Sequence, residues 1–201
     1  MARTVSERAI FLDKDGTLID DVPYNVDPAR ISLLPGVVEG LGCLQASGFR
    51  LIVVSNQSGV AHGYFAEEAL RAVEERLRGL LAETGLTLDG FYYCPHHPGG
   101  TVPVYAVDCD CRKPAPGLIL RAAADLAIDL SRSWLAGDIL NDVEAGRRAG
   151  CRTVLIDNGH ETEWQLSPQR LPHHLAADMR EAAAIITSLS GIEPGLNRQE
   201  I

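Results

Sequence analysis

The amino-acid sequence predicts an α/β fold built around a mostly parallel sheet. Short apolar runs typical of buried strands alternate along the chain with longer helical patterns, which favours parallel strands joined by helices. The chain has 201 residues, of which 46% are hydrophobic, so it can bury one sizeable core. We therefore expect one domain over residues 1–190, followed by a flexible tail over residues 191–201.

Each predicted element is bounded by residues that begin or end regular structure. Pro35-Gly36 and Gly48 bracket the first helix, Gly85 ends the second, and Pro116 stands in the first turn of the third, where proline is tolerated. The strands are predicted from short apolar runs. In chain order the predicted elements are strand 9–12, helix 37–47, strand 50–55, helix 66–84, strand 86–93, helix 116–127, strand 134–137, helix 139–149, strand 153–157, and a last strand and helix within 175–189.

The charge of the chain limits the partners that it can bind. There are 27 acidic and 18 basic residues, which gives a formal net charge of -9, so a general nucleic-acid-binding surface is not expected. No apolar run reaches membrane-spanning length, and residues 1–8 lack the apolar stretch of a secretory signal. We expect a cytoplasmic monomer that acts on a small molecule, with no nucleic-acid partner and no membrane partner.

The cysteines also carry information about chemistry. Their number, five, is odd and argues against a disulfide framework, and cysteines of cytosolic proteins are more often metal ligands or catalytic groups. Cys43 lies in a predicted helix among apolar neighbours, and Cys151 begins a predicted strand. Both are therefore expected to pack in the interior.

Polar side chains follow several of the predicted strands at the point where each strand ends. Because the carboxyl ends of parallel strands meet at one edge of a sheet, these side chains are expected to lie close together. A lone Asp-x-Asp-Gly is more often a simple turn, but the whole set of carboxylates, hydroxyl, amide and lysine suits a phosphate group and a divalent cation. The set consists of Asp13, Asp15, Ser55, Asn56, Arg112, Lys113, Asp138 and Asp142.

The order of these motifs resembles the haloacid dehalogenase (HAD) superfamily of phosphatases. The matching motifs are Asp-x-Asp-Gly-Thr, Ser-Asn, Lys-Pro and Gly-Asp-x-x-x-Asp, between Phe11 and about Asp157. More narrowly, FLDKDGT, SNQSG, YYCPHHP and CDCRKPAPG resemble the branch of the heptose 1,7-bisphosphate 7-phosphatases, whose relatives include histidinol-phosphate phosphatases. This resemblance implies a Rossmann-like three-layer α/β/α sandwich. No gap between the motifs is long enough for a second folded unit, so no large cap domain is expected.

The resemblance also implies the roles of the acidic residues. Asp13 is expected to be the nucleophile that forms an aspartyl-phosphate, and Asp15 to protonate the leaving oxygen and later activate water. Mg²⁺ is expected to bind Asp13, Asp138 and the backbone carbonyl of Asp15. Asp142 is expected to orient the lysine or a metal-bound water without binding the metal directly, and Gly16 to allow an unusual backbone turn.

The basic and polar residues are expected to bind the substrate. Ser55, Asn56 and Lys113 would hold the transferring phosphoryl group, and Arg112 a second, non-reacting phosphate. The sequence departs from the branch at His62, where arginine is common, which weakens the expected contact with the second phosphate. It also departs in IDNGHETEWQLSP, residues 156–168, which lacks the threonine-glycine turn of the family, so that a different substrate or an interface is an alternative role for this loop. His160 and Trp164 are expected to be surface loop residues.

A stretch rich in Pro, Gly and His, residues 94–111, contains a second potential metal site. Cys94, His96, Cys109 and Cys111 supply three thiolates and an imidazole, the ligands of a closed structural zinc site. His97 competes with His96 for the ligand role, and the alternative without metal is a set of unpaired core cysteines. Zinc would hold the segment that presents the lysine expected to bind phosphate.

We therefore expect a Mg²⁺-dependent phosphomonoesterase with a structural zinc loop. Its expected reaction, from the resemblance, is removal of the 7-phosphate of a heptose 1,7-bisphosphate on the way to nucleotide-activated heptose for lipopolysaccharide core. One alternative is a phosphatase for histidinol phosphate or another small sugar phosphate. An alternative of a different class is a zinc-stabilised phosphate-binding module without catalytic activity.

Overall fold

Six parallel strands form one sheet at the centre of the protein. The computed structural model describes residues 7–191, so residues 192–201 of the predicted tail lie outside the described part. The strand order is β3-β2-β1-β4-β5-β6, and every neighbouring pair is parallel. The strands are β1 (Arg8–Leu12), β2 (Phe49–Asn56), β3 (Gly90–Cys94), β4 (Trp134–Gly137), β5 (Arg152–Ile156) and β6 (His174–Ala176).

Helices cover both faces of this sheet and give three layers. The helices are α1 (Val37–Ala46), α2 (Ala69–Ala82), α3 (Gly117–Leu126), α4 (Leu140–Ala149) and α5 (Met179–Leu189). Alternate side chains of β1 enter different cores: Ile10 and Leu12 pack with α1, α2 and α5, whereas Ala9 and Phe11 pack with α3 and α4. This alternation is the period-two pattern of a strand buried on both faces. The expected three-layer fold without a large cap is confirmed.

The predicted elements are all present, and two predictions about packing and extent need correction. The third strand is shorter than 86–93, because Asp89 binds the amide of Leu51 through its side chain (Oδ2, 2.8 Å) and regular pairing begins only at Gly90. Cys43 is exposed and not an interior packing residue, since α1 buries the face that carries Leu41 and Leu44. Cys151 is buried, as expected.

The carboxyl ends of the strands lie at one edge of the sheet, where the chain passes into loops or helices. The backbone amide of Asp13 donates to the carbonyl of Ala136 at 3.0 Å, which ties the residues after β1 to β4. None of the α-helices within residues 7–191 has the length and apolar character needed to cross a bilayer.

Candidate active site

Three carboxylates and one lysine meet in the interior at the carboxyl edge of the sheet. Asp13 follows β1, Asp138 follows β4, and Asp142 lies in the first turn of α4. Oxygen atoms of these three carboxylates lie within 4.8 Å of one another, and all three residues are buried. Lys113 is also buried; its Nζ donates to Asp13 and lies 2.6 Å from Oδ1 of Asp142. We call Asp13, Asp138 and Asp142 the carboxylate cluster.

The carboxylate cluster carries more negative charge than its lysine can balance. Burial raises the pKa of Asp13 to about 7, although Lys113 opposes this rise, and Asp142 and Asp15 add to it. Burial, followed by the charge of Asp13, raises the pKa of Asp138 to about 6. A divalent cation would relieve this repulsion, and an all-oxygen donor set is what Mg²⁺ prefers. The residues present therefore fit a magnesium ion.

Asp15 lies beside the carboxylate cluster and faces a cleft of about 300 Å³. Its Oδ1 is 2.5 Å from Nζ of Lys14, a residue that is only 1% exposed, and its Oδ2 accepts from Nε2 of Gln57 at 3.0 Å. The Asp15 side chain itself remains 26% exposed. Asp15 is thus oriented by two contacts and is still accessible from the cleft. A residue that exchanges protons with a substrate needs both properties.

The last two residues of β2, Ser55 and Asn56, do not both present their side chains as expected. Asn56 does not present its amide to the cluster: its Nδ2 donates to the carbonyl of Lys113, and its Oδ1 accepts from the amide of Lys113, both at 3.0 Å. Both polar atoms are engaged, so Asn56 fixes the backbone that carries the lysine. Ser55 is buried, and its Oγ accepts from Nε2 of Gln57 at 2.7 Å.

The three cysteines and the histidine of residues 94–111 form a compact group, the Cys/His cluster. The sulfur atoms of Cys94, Cys109 and Cys111 are 3.0–3.5 Å apart, and Nδ1 of His96 is 3.3 Å from the sulfur of Cys111. These distances are comparable with the edge of roughly 3.8 Å of a tetrahedron with zinc–sulfur bonds of about 2.3 Å. His97 lies outside this group; its Nδ1 accepts from the amide of Gly99.

A patch of rings and positive charge adjoins the cleft. The ring of His62 stacks on Tyr64 at 5.5 Å and lies 4.8 Å from His97, while Tyr64 contacts Tyr24 edge-on at 4.5 Å. Partial burial and the nearby charge of Arg112 lower the pKa of His97. Arg112 donates to the carbonyl of His96, and no carboxylate in residues 7–191 forms an ion pair with it. His62, the position where the sequence departs from the branch, thus contacts His97, which is itself close to Arg112.

The loop after β5 reaches the site, which the sequence did not predict. Nδ1 of His160 is 2.6 Å from Oδ2 of Asp138, and Nδ2 of Asn158 donates to the carbonyl of Gly16 at 2.7 Å. His160 is an exposed loop residue, as expected, with 36% of its side chain exposed, but its contact with Asp138 was not predicted. Trp164 is exposed, as expected. The contact could have been predicted from the position of the loop, because the loop follows the carboxyl end of a parallel strand.

Comparisons with known proteins agree with the family resemblance of the sequence motifs. The HAD-hydrolase-like family model matches residues 110–182. The D-glycero-beta-D-manno-heptose-1,7-bisphosphate 7-phosphatase of Pasteurella multocida is 44% identical over 154 residues, which cover 76% of this chain and 83% of the relative.

Two solved structures share the fold at high similarity. A Mesorhizobium loti protein assigned to the HAD-like phosphatases has a TM-score of 0.80 at 36% identity, covering 96% of this chain and 90% of its own. The D,D-heptose 1,7-bisphosphate phosphatase of B. bronchiseptica, solved with magnesium and phosphate, has a TM-score of 0.77 at 30% identity, covering 90% and 99%.

Proposed function

The chain belongs to the HAD-like phosphatases, among the relatives of D-glycero-beta-D-manno-heptose-1,7-bisphosphate 7-phosphatase, and we propose that it removes the 7-phosphate of a heptose 1,7-bisphosphate. The observation that carries this proposal is the buried carboxylate cluster with Lys113, next to the cleft that Asp15 faces. Such a site provides a nucleophile, a proton donor and a place for a cation within one small volume. The product would serve the synthesis of nucleotide-activated heptose for lipopolysaccharide.

In the proposed reaction Asp13 attacks phosphorus and the bond from phosphorus to the 7-oxygen of the sugar breaks. Asp15, held by Lys14 and Gln57, donates a proton to that departing oxygen. It then takes a proton from the water that attacks phosphorus; the bond from phosphorus to the Asp13 oxygen breaks and inorganic phosphate leaves. Asp13 is again a carboxylate and Asp15 again carries the proton with which it began. Lys113 lies on Asp13 and supplies positive charge where the phosphoryl oxygens would lie.

A magnesium ion would be held by Asp13, Asp138 and the backbone carbonyl of Asp15, with Asp142 holding Lys113 in place. When bound, the ion supplies positive charge that offsets the repulsion between the attacking carboxylate and the phosphate dianion. That repulsion is about 4 kcal/mol for two unit charges 4 Å apart at an effective dielectric constant of 20.

We propose different tasks for the last two residues of β2. The hydroxyl of Ser55 would contact a phosphoryl oxygen, whereas Asn56 acts on the phosphate through Lys113, since both of its polar atoms bind the lysine backbone. Arg112 would bind the second phosphate of the substrate with help from His62 and His97. Its lack of an acidic partner within residues 7–191 supports this, because an unpaired guanidinium favours an anion.

We propose that the Cys/His cluster holds one structural zinc ion. Four ligands of the types that zinc prefers lie in a closed arrangement, and the described chain has no disulfide among them. Burial raises the pKa of Cys94, so a cation is needed to keep that sulfur as a thiolate. Cys111 directly precedes Arg112 and Lys113, so the zinc would fix the segment that binds phosphate.

We further propose that residues 1–190 act as one domain and that the enzyme is a cytoplasmic monomer. The single six-stranded sheet with a core on each face supports the first point. Light scattering after size-exclusion chromatography tests the second: a mass near 21.7 kDa is expected, and twice that mass contradicts it.

The substrate is tested with a panel of phosphorylated metabolites assayed for phosphate release with Mg²⁺ and with a chelator. Heptose 1,7-bisphosphate should give the highest kcat/KM, and its activity should be lost without Mg²⁺. A higher kcat/KM for histidinol phosphate or a sugar monophosphate would overturn the substrate assignment. No turnover with any phosphate ester, from zinc- and magnesium-loaded protein, would indicate a binding module instead.

A further inference from the structure

The carboxylate of Asp138 is held at both of its oxygen atoms. Thr17 donates from Oγ1 to Oδ1 at 3.0 Å, and His160 lies with Nδ1 2.6 Å from Oδ2. A carboxylate only accepts hydrogen bonds, so Nδ1 of His160 carries the proton in this contact. The Asp138 side chain is 5% exposed, and these two contacts come from segments that are far apart in the sequence.

The loop that carries His160 is itself fastened to the active site. Asn158 donates to the carbonyl of Gly16 at 2.7 Å, and the carboxylate of Glu161 accepts from the amide of Leu140 at 2.7 Å, at the start of α4. Gly16 leaves the space that the imidazole occupies: a Cβ there would lie 2.4 Å from Nδ1 of His160. The imidazole is therefore placed by contacts on both sides of it and not by chance proximity.

We propose that His160 is a positioning residue that sets the orientation of Asp138 for the divalent cation. This role of His160 rests on the proposed function only because the cation concerned is the one proposed to bind the carboxylate cluster. His160 is not itself expected to bind that cation, because an imidazole is a poor ligand for Mg²⁺ and the cluster of close donor atoms consists of Asp13, Asp138 and Asp142.

The physical reason is preorganisation of the ligand. A free carboxylate rotates, and a cation that binds it must fix that rotation. The contacts from Thr17 and His160 fix it beforehand, so that less free energy is lost on binding. Partners that orient a metal ligand in this way typically change metal affinity by about 10- to 100-fold when they are removed.

Three variants separate positioning from general stability. His160→Ala removes the imidazole. His160→Asn keeps an N–H donor near the position of Nδ1, whereas His160→Gln places its donor near the position of Nε2, away from Asp138. Thr162→Ala is the matched control in the same loop, because Thr162 is exposed.

The readout is binding of Mn²⁺, a paramagnetic substitute for Mg²⁺, to substrate-free protein by electron paramagnetic resonance, together with the melting temperature without metal. His160→Ala and His160→Gln should weaken Mn²⁺ binding by about 10-fold or more, and His160→Asn should restore most of it. Thr162→Ala should match the wild type, and metal-free melting temperatures should stay within about 2 °C of one another.

Two results would overturn the proposal. One is unchanged Mn²⁺ affinity in both His160→Ala and His160→Gln. The other is a loss in all three His160 variants that follows a matching fall in metal-free melting temperature, since that pattern indicates a purely structural role. The measurement uses no substrate, so a wrong assignment of the heptose bisphosphate would leave its outcome intact. If His160→Ala does not fold, the comparison of Asn with Gln decides alone.

Discussion

The two clusters of potential metal ligands are built in opposite ways. The carboxylate cluster takes Asp13, Asp138 and Asp142 from the ends of two neighbouring strands and the helix after one of them, so the sheet itself brings them together. The Cys/His cluster takes all four ligands from one continuous segment, residues 94–111, which begins at the last residue of β3 and contributes few apolar side chains to the cores. The first cluster should therefore persist without its cation, whereas the second should need its zinc to remain folded.

This contrast predicts which changes affect chemistry and which affect structure. A substitution in the carboxylate cluster should abolish turnover and leave the fold intact. A substitution in the Cys/His cluster should loosen the loop and affect catalysis only through the displaced lysine and arginine.

The largest expected effect is that of Asp13→Asn. The amide keeps the shape of the side chain but is not a nucleophile, so kcat should fall by at least about 1,000-fold with a nearly unchanged melting temperature. The measurement is phosphate release by metal-loaded protein, with circular dichroism to confirm folding. Near-native turnover by this variant would rule out the aspartyl-phosphate mechanism.

Removal of zinc is expected to affect structure before chemistry. The protein as purified should hold about one zinc per chain, and Cys109→Ser should lower both zinc content and melting temperature, the latter by at least ~5 °C. Turnover should fall as well, because Lys113 is displaced. Cys43→Ser is the matched control, since that cysteine is exposed and outside the cluster. Zinc-free wild-type protein with an unchanged melting temperature would contradict the structural role.

The sequence predicts those contacts of the two clusters that regular secondary structure creates, and it does not predict those that loops create. The sheet and its helices follow from apolar periodicity, and the meeting of Asp13 with Asp138 follows from the convergence of strand ends. The contacts of Asn56 and His160 do not: Asn56 ends β2 but binds the backbone of Lys113, and His160 lies after β5, so both contacts depend on the paths of loops through the folded molecule. His160, for example, reaches Asp138 only where Gly16 lacks a side chain.

Arg112→Ala tests a residue that links the two clusters, since Arg112 directly follows Cys111, a proposed zinc ligand, and is itself proposed to bind the second phosphate. A charged hydrogen-bonded contact contributes about 1.5–3 kcal/mol, so the ratio of kcat/KM for heptose bisphosphate to that for a simple aryl phosphate should fall about 10- to 100-fold. His62→Ala should lower the same ratio by a smaller factor. An equal loss for both substrates would show that Arg112 supports the loop and makes no contact with the second phosphate.

The smallest effect expected is the pH dependence of Mg²⁺ binding, which arises in the carboxylate cluster alone. In the metal-free protein the pKa of Asp13 is raised to about 7 and that of Asp138 to about 6, both from 3.8. The folded state therefore keeps protons that the unfolded chain has lost, so these groups favour folding most below about pH 4. That contribution is lost as the pH rises through 6 and 7.

Mg²⁺ competes with these protons for the carboxylates, so Mg²⁺ affinity should increase as the pH rises. Affinity should rise about 10-fold between pH 6 and pH 8 and level off above that, as Asp13 loses its proton. The gain in melting temperature at a fixed Mg²⁺ concentration should grow over the same interval. In Asp13→Asn the dependence should shift to lower pH, because Asp138 then titrates without its charged neighbour. Mg²⁺ affinity that is flat from pH 5.5 to 8 in the wild type would mean that the buried carboxylates are ionised before the metal arrives, and Lys113 alone would then balance the cluster.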